Sequence, residues 1–417
     1  MSAKLMNWAG SVTFQAGEVH QPASVEELQG LVARSAKVRA LGSGHSFNDI
    51  ADTPAVLISL AGLPPVFEID SGGRTVRVGA SLRYAEVGRR LHEHGFALHN
   101  LASLPHISVA GSVATATHGS GDANANLATQ VSALEMVTAD GDLIELSRER
   151  DGETFHGVVV GLGALGIVVT LTLDIVPAFD IEQIVYQGLP FEVLDDHFAD
   201  ISTGAYSMSL FTSWNGPLID QVWMKRNAGY PGTGDLFGAR PADEPLHPVP
   251  GVSGETCTEQ LGVPGPSYAR LPHFRPEFTP SSGVELQSEF FVARRHGVEA
   301  LRAVDGIRDR VAPVLQISEI RTIAADELWM STAYGRDSVA LHFTWVKDMD
   351  AVLPVVALLQ EHLSPYDARP HWGKVFTSAP DDLRARYPRL ADFYRLVRDH
   401  DPGGKFTNDF LARHLFD

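Results

Sequence analysis

GLGALGIVVTLTLDIV, residues 161–176, can be read in two ways, and the choice decides the fold. Its first six residues match the GxGxxG spacing of dinucleotide-binding proteins, which works only where the glycine turn opens a helix whose N-terminus receives a pyrophosphate. Here the turn is followed by Ile167, Val168, Val169, Thr170, Leu171 and Thr172, a β-branched run with the character of a strand. The context of a doubly wound nucleotide fold is missing. What is left is a tight turn that a ligand can approach closely, leading into a strand.

Working upstream, LEMVTADGDLIELS, residues 134–147, reads as a hairpin turning at Asp140 and Gly141, and VFEIDSGGRTVRVG as another turning at Ser71 to Gly73. A helix from Tyr84 to His94 lies between them. Nearer the start, Ser24 and Glu27 stand at capping-box spacing ahead of Val25, Leu28, Leu31 and Val32 at helical period, followed by the short strand VRAL. These pieces make an α+β domain ending near residue 176. Downstream of Pro177 the pattern changes to longer strands: YSMSLFTSW, QVWMKR, ELQSEFFV, VLQISEIRTI and SVALHFTWV. Helices GVEALRAVDGIRDRV and AVLPVVALLQEHL separate the last three, which predicts a sheet covered by helices on one face and free to form a wall on the other. Residues 228–280, rich in proline and glycine, read as a long irregular excursion.

A chain of 417 residues exceeds the roughly 250 to 300 that one hydrophobic core serves, so two domains are expected. The net charge of −18, from 33 basic and 51 acidic residues, repels polyphosphates and anionic lipid. Nucleic acid and membrane surfaces are therefore poor partners, and a small neutral substrate suits the chain better. Cys257 is the only cysteine, which excludes an intrachain disulfide framework and fits a reducing compartment. MSAKLMNWAG lacks a signal-peptide pattern and no run of about 18 apolar residues occurs, so the expected location is cytoplasmic. His94, His106 and His118 lack metal-ligand spacing, and no GxSxG elbow supports a serine hydrolase; no metal is expected.

Two segments invite a ligand. In RALGSGHSFND, residues 39–49, glycines bracket Ser43 and deliver His45 on a turn; by itself such a histidine is more often simply solvated. LASLPHISVAGSVATATHGSG, residues 101–121, is dominated by small and hydroxylated residues, among them Ser108, Gly111, Thr115 and Thr117, and has no lysine or arginine. It can present backbone N–H groups and hydroxyls to a pyrophosphate, or it can be a loop that only turns. On the strand side, alternation puts Glu319 with Arg321, and His342 with Thr344, on one face, while Phe343 and Trp345 point the other way. A solvated sheet face is the plain alternative.

Taken in order, LGSGHS, SVAGSVATATHGSG, GALGIVVTLTL, PHWGKVF, YPRLADF and DPGGKFTNDFL resemble the FAD-linked oxidases of the vanillyl-alcohol oxidase superfamily, and within it the bacterial alditol oxidases, relatives of the aldonolactone oxidases. The resemblance spans nearly the whole chain. It implies a two-domain fold: an FAD-binding α+β domain over residues 1–176, to which residues 376–417 return, and a substrate domain over 177–375 with an antiparallel sheet covered by helices. It further implies FAD bound covalently through His45, whose neutral imidazole is a competent nucleophile near neutral pH. The implied cofactor residues are Leu41, Gly42, Ser43, Gly44, His45, Ser46, Ser103, Ser108, Gly111, Thr115, Thr117, His118, Val168 and His371.

For the substrate the resemblance implies Ser103, Glu319, Arg321, Thr344 and Lys374, with His342, Arg321 and Lys374 in catalysis. Arg321 and Lys374 would stabilise negative charge, His342 would act as base because its unperturbed pKa is near working pH, and Glu319 would accept hydrogen bonds from polyol hydroxyls. The expected reaction takes a terminal hydroxyl of a neutral polyol such as xylitol or sorbitol to the aldose, with dioxygen leaving as hydrogen peroxide, in a monomer. Gly373 stands where aldonolactone oxidases commonly carry alanine. An aldonolactone oxidase or dehydrogenase on the same scaffold, and a non-catalytic sugar-binding protein, remain the alternatives.

Overall fold

The structure, a computed structural model, describes residues 5–229 and 236–416. Strands β1 (Glu18–His20), β2 (Val38–Leu41) and β3 (Val56–Ser59) form a parallel sheet in the order β1-β3-β2. Helix α1 (Val25–Arg34) crosses between the first two, and its start is the anticipated one: Ser24 Oγ accepts the Glu27 N–H at 3.2 Å while the Glu27 carboxylate accepts the Ala23 N–H at 2.8 Å. Strands β4 (Phe67–Asp70), β5 (Thr75–Gly79), β6 (Val131–Val137), β7 (Leu143–Ser147) and β8 (Ile167–Asp174) make an antiparallel sheet in the order β4-β5-β8-β6-β7. The strand that follows the glycine turn is thus central to its sheet.

That turn is preceded by a helix. After α2 (Tyr84–Glu93) and α3 (Val109–Ala114) comes α4 (Arg148–Val159), interrupted at Gly152 (φ 49°, ψ −124°) and running directly into Gly161. Helix, glycine turn, strand is the reverse of the dinucleotide-binding order, so no helix N-terminus is offered there. At Gly163 (φ 69°) a Cβ would meet the Arg39 guanidinium at 3.1 Å, and this close approach is what the glycine permits.

Among the described residues the second region is a nine-stranded sheet. Its long strands are β9 (Asp180–Pro190), β10 (Ser207–Thr212), β11 (Leu218–Asn227), β12 (Leu286–Ala293), β13 (Leu315–Ile323) and β14 (Ser338–Trp345), antiparallel in the order β9-β11-β10-β13-β14-β12. Helices α5 (Leu194–Thr203), α6 (Gly297–Asp305) and α7 (Met349–Leu363) cover one face. Leu301, Val304, Val356 and Leu359 pack there against Val339, Leu341, Phe343 and Trp345. The single helix expected over 297–311 is broken after Asp305: Gly306 keeps helical angles, Ile307 leaves them (φ −117°, ψ 17°), and Arg308–Val311 forms a separate turn.

The excursion after β11 is irregular, yet it is not a surface loop. Its Val249, Cys257 and Phe274 are buried against Val185, Phe211, Trp223 and Ile317 on the other face of the sheet. The chain finally returns through α8 (Leu390–His400) to the first region, where Phe393, Val397, Phe406 and Phe410 join a core that includes Val38, Ile58 and Leu165. No helix among the described residues is long and apolar enough to cross a membrane.

Candidate active site

Strand β2 ends at Leu41 and runs into Gly42, and the loop it feeds is zipped to the segment before α3 by two serines: Ser43 Oγ accepts the Ser108 N–H at 3.0 Å and Ser108 Oγ accepts the Ser43 N–H at 3.3 Å. A Cβ at Gly42 would lie 2.6 Å from Ser108 Oγ, so only glycine allows the two segments to come this close. The Gly44 carbonyl accepts the Trp8 N–H and the Trp8 ring stacks on His45 with centroids 5.3 Å apart. Asn48 then spends both amide hydrogens on the carbonyls of Trp372 and Lys374, each at 2.8 Å, while the Phe47 N–H donates to the Gly373 carbonyl at 2.7 Å. The histidine loop and the HWGK loop are therefore fastened to one another.

These loops border one continuous cavity. It is lined by Leu41, Gly42, Ser43, Gly44, His45, Ser46, Ser103, Ser108, Gly111, Thr115, Thr117, His118, Val168 and His371, and also by Glu319, Arg321, His342, Thr344 and Lys374. The turn at 161–166 lines it as well. Both ring nitrogens of His45 are buried without a hydrogen-bond partner, and burial pushes its pKa down to about 4, so the imidazole is neutral and holds a lone pair for a bond the protein itself does not supply. Orphaned nitrogens beside a cradle of serines, threonines and glycine backbone fit a large cofactor carrying a pyrophosphate.

The substrate side follows from register. Glu289 on β12, His342 on β14, Glu319 on β13 and Phe211 on β10 stand opposite one another across four strands, with Gln287 beside Thr344 one pair along. Arg321 Nη2 donates to Glu289 Oε1 at 2.5 Å and Lys374 Nζ to Oε2 at 2.7 Å, while His118 Nε2 lies 3.2 Å from Oε1. Arg321 Nη1 also donates to Ser103 Oγ at 3.2 Å. Burial would raise the pKa of Glu289, but Lys374 and Arg321 overcome it and hold the carboxyl well below the usual range. Burial likewise opposes ionisation of Glu319, and Arg321 with His273 overrides it. Two carboxylates thus face two cations, and the charges of these four side chains balance at the sheet end of the cavity.

His342 departs from its expected state. Nε2 sits 3.1 Å from Gln287 Oε1, an acceptor, so the proton is on Nε2 and Nδ1 is left buried with a free lone pair. Burial, then the nearby Lys374 charge, drive its pKa well below 6.5, so it is a neutral acceptor over the working range and not a base poised near it.

The sequence reading passed over Glu289, Gln287, His273 and Lys225. The first two were accessible to it, since residues 287 and 289 alternate on ELQSEFFV as 319 and 321 do on β13. His273 lies in the aperiodic excursion, where no period points to it.

Residues 17–147 match the family model described as FAD binding domain, and residues 285–414 the one described as D-arabinono-1,4-lactone oxidase. With the two-domain fold and the cradle around His45, this defines an FAD-dependent oxidoreductase. The chain is 56% identical to alditol oxidase of Streptomyces sp., covering 100% of both chains, and 32% identical to L-gulono-1,4-lactone dehydrogenase of Mycobacterium tuberculosis, again over 100% of both. Cholesterol oxidase from Brevibacterium sterolicum shares the fold at 14% identity, with a TM-score of 0.80 over 99% of this chain and 96% of that one. The chain belongs to the alditol oxidase family.

Proposed function

We propose that the protein oxidises a terminal primary hydroxyl of a neutral polyol, such as xylitol or sorbitol, to the aldose, with FAD attached through His45. The observation that carries this is the balanced pocket: Glu289 and Glu319 offset Arg321 and Lys374, so a charged substrate finds no net attraction, whereas a row of hydroxyls finds donors and acceptors together. Flavin, when bound, would supply the hydride acceptor and the route for two electrons and two protons to dioxygen, giving hydrogen peroxide. The chain's residues do the rest. His342 Nδ1 accepts the hydroxyl proton, Arg321 and Lys374 steady negative charge on oxygen as hydride leaves, and Glu319, Ser103 and Thr344 grip the remaining hydroxyls. Such a site rejects analogues that lack a hydroxyl, because its buried polar groups would go unpaired.

The flavin is held by the Leu41–Ser46 loop, Ser103, Ser108, Gly111, Thr115, Thr117, His118, Val168 and His371, all of which line the cavity. Residues 1–176 with 376–417 form the cofactor domain and 177–375 the substrate domain, a division supported by the two separate large cores. A single buried cysteine supports a cytoplasmic location. The test is a substrate panel. Xylitol and sorbitol should consume oxygen and form peroxide with higher kcat/KM than gulono- or galactonolactone, and ethanol should be inert. Lactones outcompeting polyols would establish the aldonolactone alternative, and flavin that neither class reduces without oxygen would remove both.

A further inference from the structure

Glu319 has one oxygen engaged and the other free. His273 Nε2 lies 2.8 Å from Oε1, and Arg321 Nε approaches that same oxygen at 3.6 Å; the described residues make no hydrogen bond to Oε2. The carboxylate's orientation therefore depends on the imidazole. His273 belongs to the excursion and is itself fixed at both ends. Its backbone N–H donates to the Ser103 carbonyl at 2.9 Å, and its ring is edged by Phe211 at 5.6 Å and Trp223 at 5.0 Å.

Glu319 and Lys225 bracket the ring from its two nitrogens. Lys225, fully buried on β11, turns its Nζ to the carbonyl of Leu271, to that of Pro272 at 2.9 Å and to His273 Nδ1 at 3.0 Å, and burial brings its pKa down to about 7. Glu319, held ionised by Arg321 and His273, offers Nε2 only an acceptor, so the ring proton sits on Nε2 and Nδ1 faces Lys225 with its lone pair. A clamp on the excursion alone would need the two carbonyl bonds but not the line from Lys225 through the ring to the carboxylate.

We propose that His273, held as the Nε2–H tautomer between Glu319 and Lys225, is a positioning residue that turns Glu319 so that Oε2 receives a polyol hydroxyl remote from the reacting carbon, and so sets the preference for long over short polyols. This rests on the polyol reading above. Glutamine places its amide nitrogen where Nε2 stands, and asparagine places it where Nδ1 stands. His273→Gln should keep the xylitol KM within about threefold, whereas His273→Asn should raise it by about tenfold or more with kcat changed less, the loss expected for a hydrogen bond to a charged group. Glycerol, too short to reach Glu319, should respond little to either. Equal losses in the two variants, or parallel losses for xylitol and glycerol, would overturn the assignment. Long-range 1H–15N spectra of histidine-labelled holoenzyme provide a readout independent of substrate and of any variant's folding. They should show His273 protonated at Nε2, and protonation at Nδ1 would sink this inference while leaving the polyol reading intact; an unmodified enzyme whose flavin xylitol does not reduce would sink that reading instead.

Discussion

Glu289 and Lys374 are separated by 85 residues in the chain and meet at 2.7 Å, Nζ to Oε2, in a place from which water is largely excluded. The same carboxylate takes Arg321 on its other oxygen. Neither cation stands alone in the pocket, and the residue that neutralises both is one the strand alternation of β13 and β14 does not reveal.

Glu289→Gln should therefore leave two buried cations short of a counter-ion. Removing one partner of a buried ion pair costs about 3 to 5 kcal/mol, which denaturant unfolding of the holoenzyme would register. The pocket also becomes net positive, so small anions should turn into inhibitors competitive with xylitol. A variant as stable as its parent and indifferent to added sulfate would contradict the charge-balance account.

Replacing either cation acts on chemistry more than on binding. Arg321→Ala and Lys374→Ala should each slow flavin reduction in stopped flow by on the order of a hundredfold or more, as loss of a positioned charge stabiliser does. If reduction is as fast in both variants as in the parent, the two side chains play no part in the step.

His45→Ala removes the proposed attachment point while leaving the Ser43–Ser108 zipper and the Asn48 clasp in place. Acid-precipitated parent protein should stay yellow and yield a tryptic peptide containing His45 with added flavin mass; the variant's pellet should be colourless with its flavin in the supernatant. Colour retained in the variant's pellet would put the link elsewhere.

The histidines give the pH dependence a definite sign. His342 is depressed well below 6.5 by burial and by Lys374, and His273 to about 4 by burial and by Lys225. As pH falls below 6.5 the unfolded chain takes up protons that the folded one refuses, so stability declines, the part due to His273 continuing to about pH 4. Glu289 and Glu319, ionised when folded, add a loss in the same direction as pH falls below 4.5. For activity, the acid limb of the flavin-reduction rate should lie well below 6.5. A limb centred at 6.5 or above would show that His342 is not the proton acceptor.

How far the sequence could be read depended on periodicity. Glu319 with Arg321 and His342 with Thr344 were legible because alternate residues on a strand share a face, and α1 was legible because Ser24 and Glu27 announce its start. Strand β9 escaped because Asp180, Glu182, Gln183 and Gln187 blur its alternation, and α4 because Gly152 divides it. Gln287 and Glu289 alternate and could have been read in the same way, but Phe290, Phe291 and Val292 follow without alternation and cut the pattern short. His273 obeys no period at all: it reaches Glu319 through tertiary packing of an irregular segment. The protonation state of His342 could not come from residue type, because it depends on burial and on a lysine brought in from another loop.

The return of the chain also imposes an order of events during synthesis. Arg39, one residue before Ala40 in β2, donates to the Phe406 carbonyl, and Asn408 donates to the carbonyls of Asp49, Ile50 and Asp52, 356 to 359 residues away. The loop carrying His45 is made early and waits on the ribosome without these fastenings. The last wall residue of the cleft is Lys374, but the loop is fastened only once residues near 408 have emerged, so cofactor loading belongs to the completed chain rather than to the nascent one.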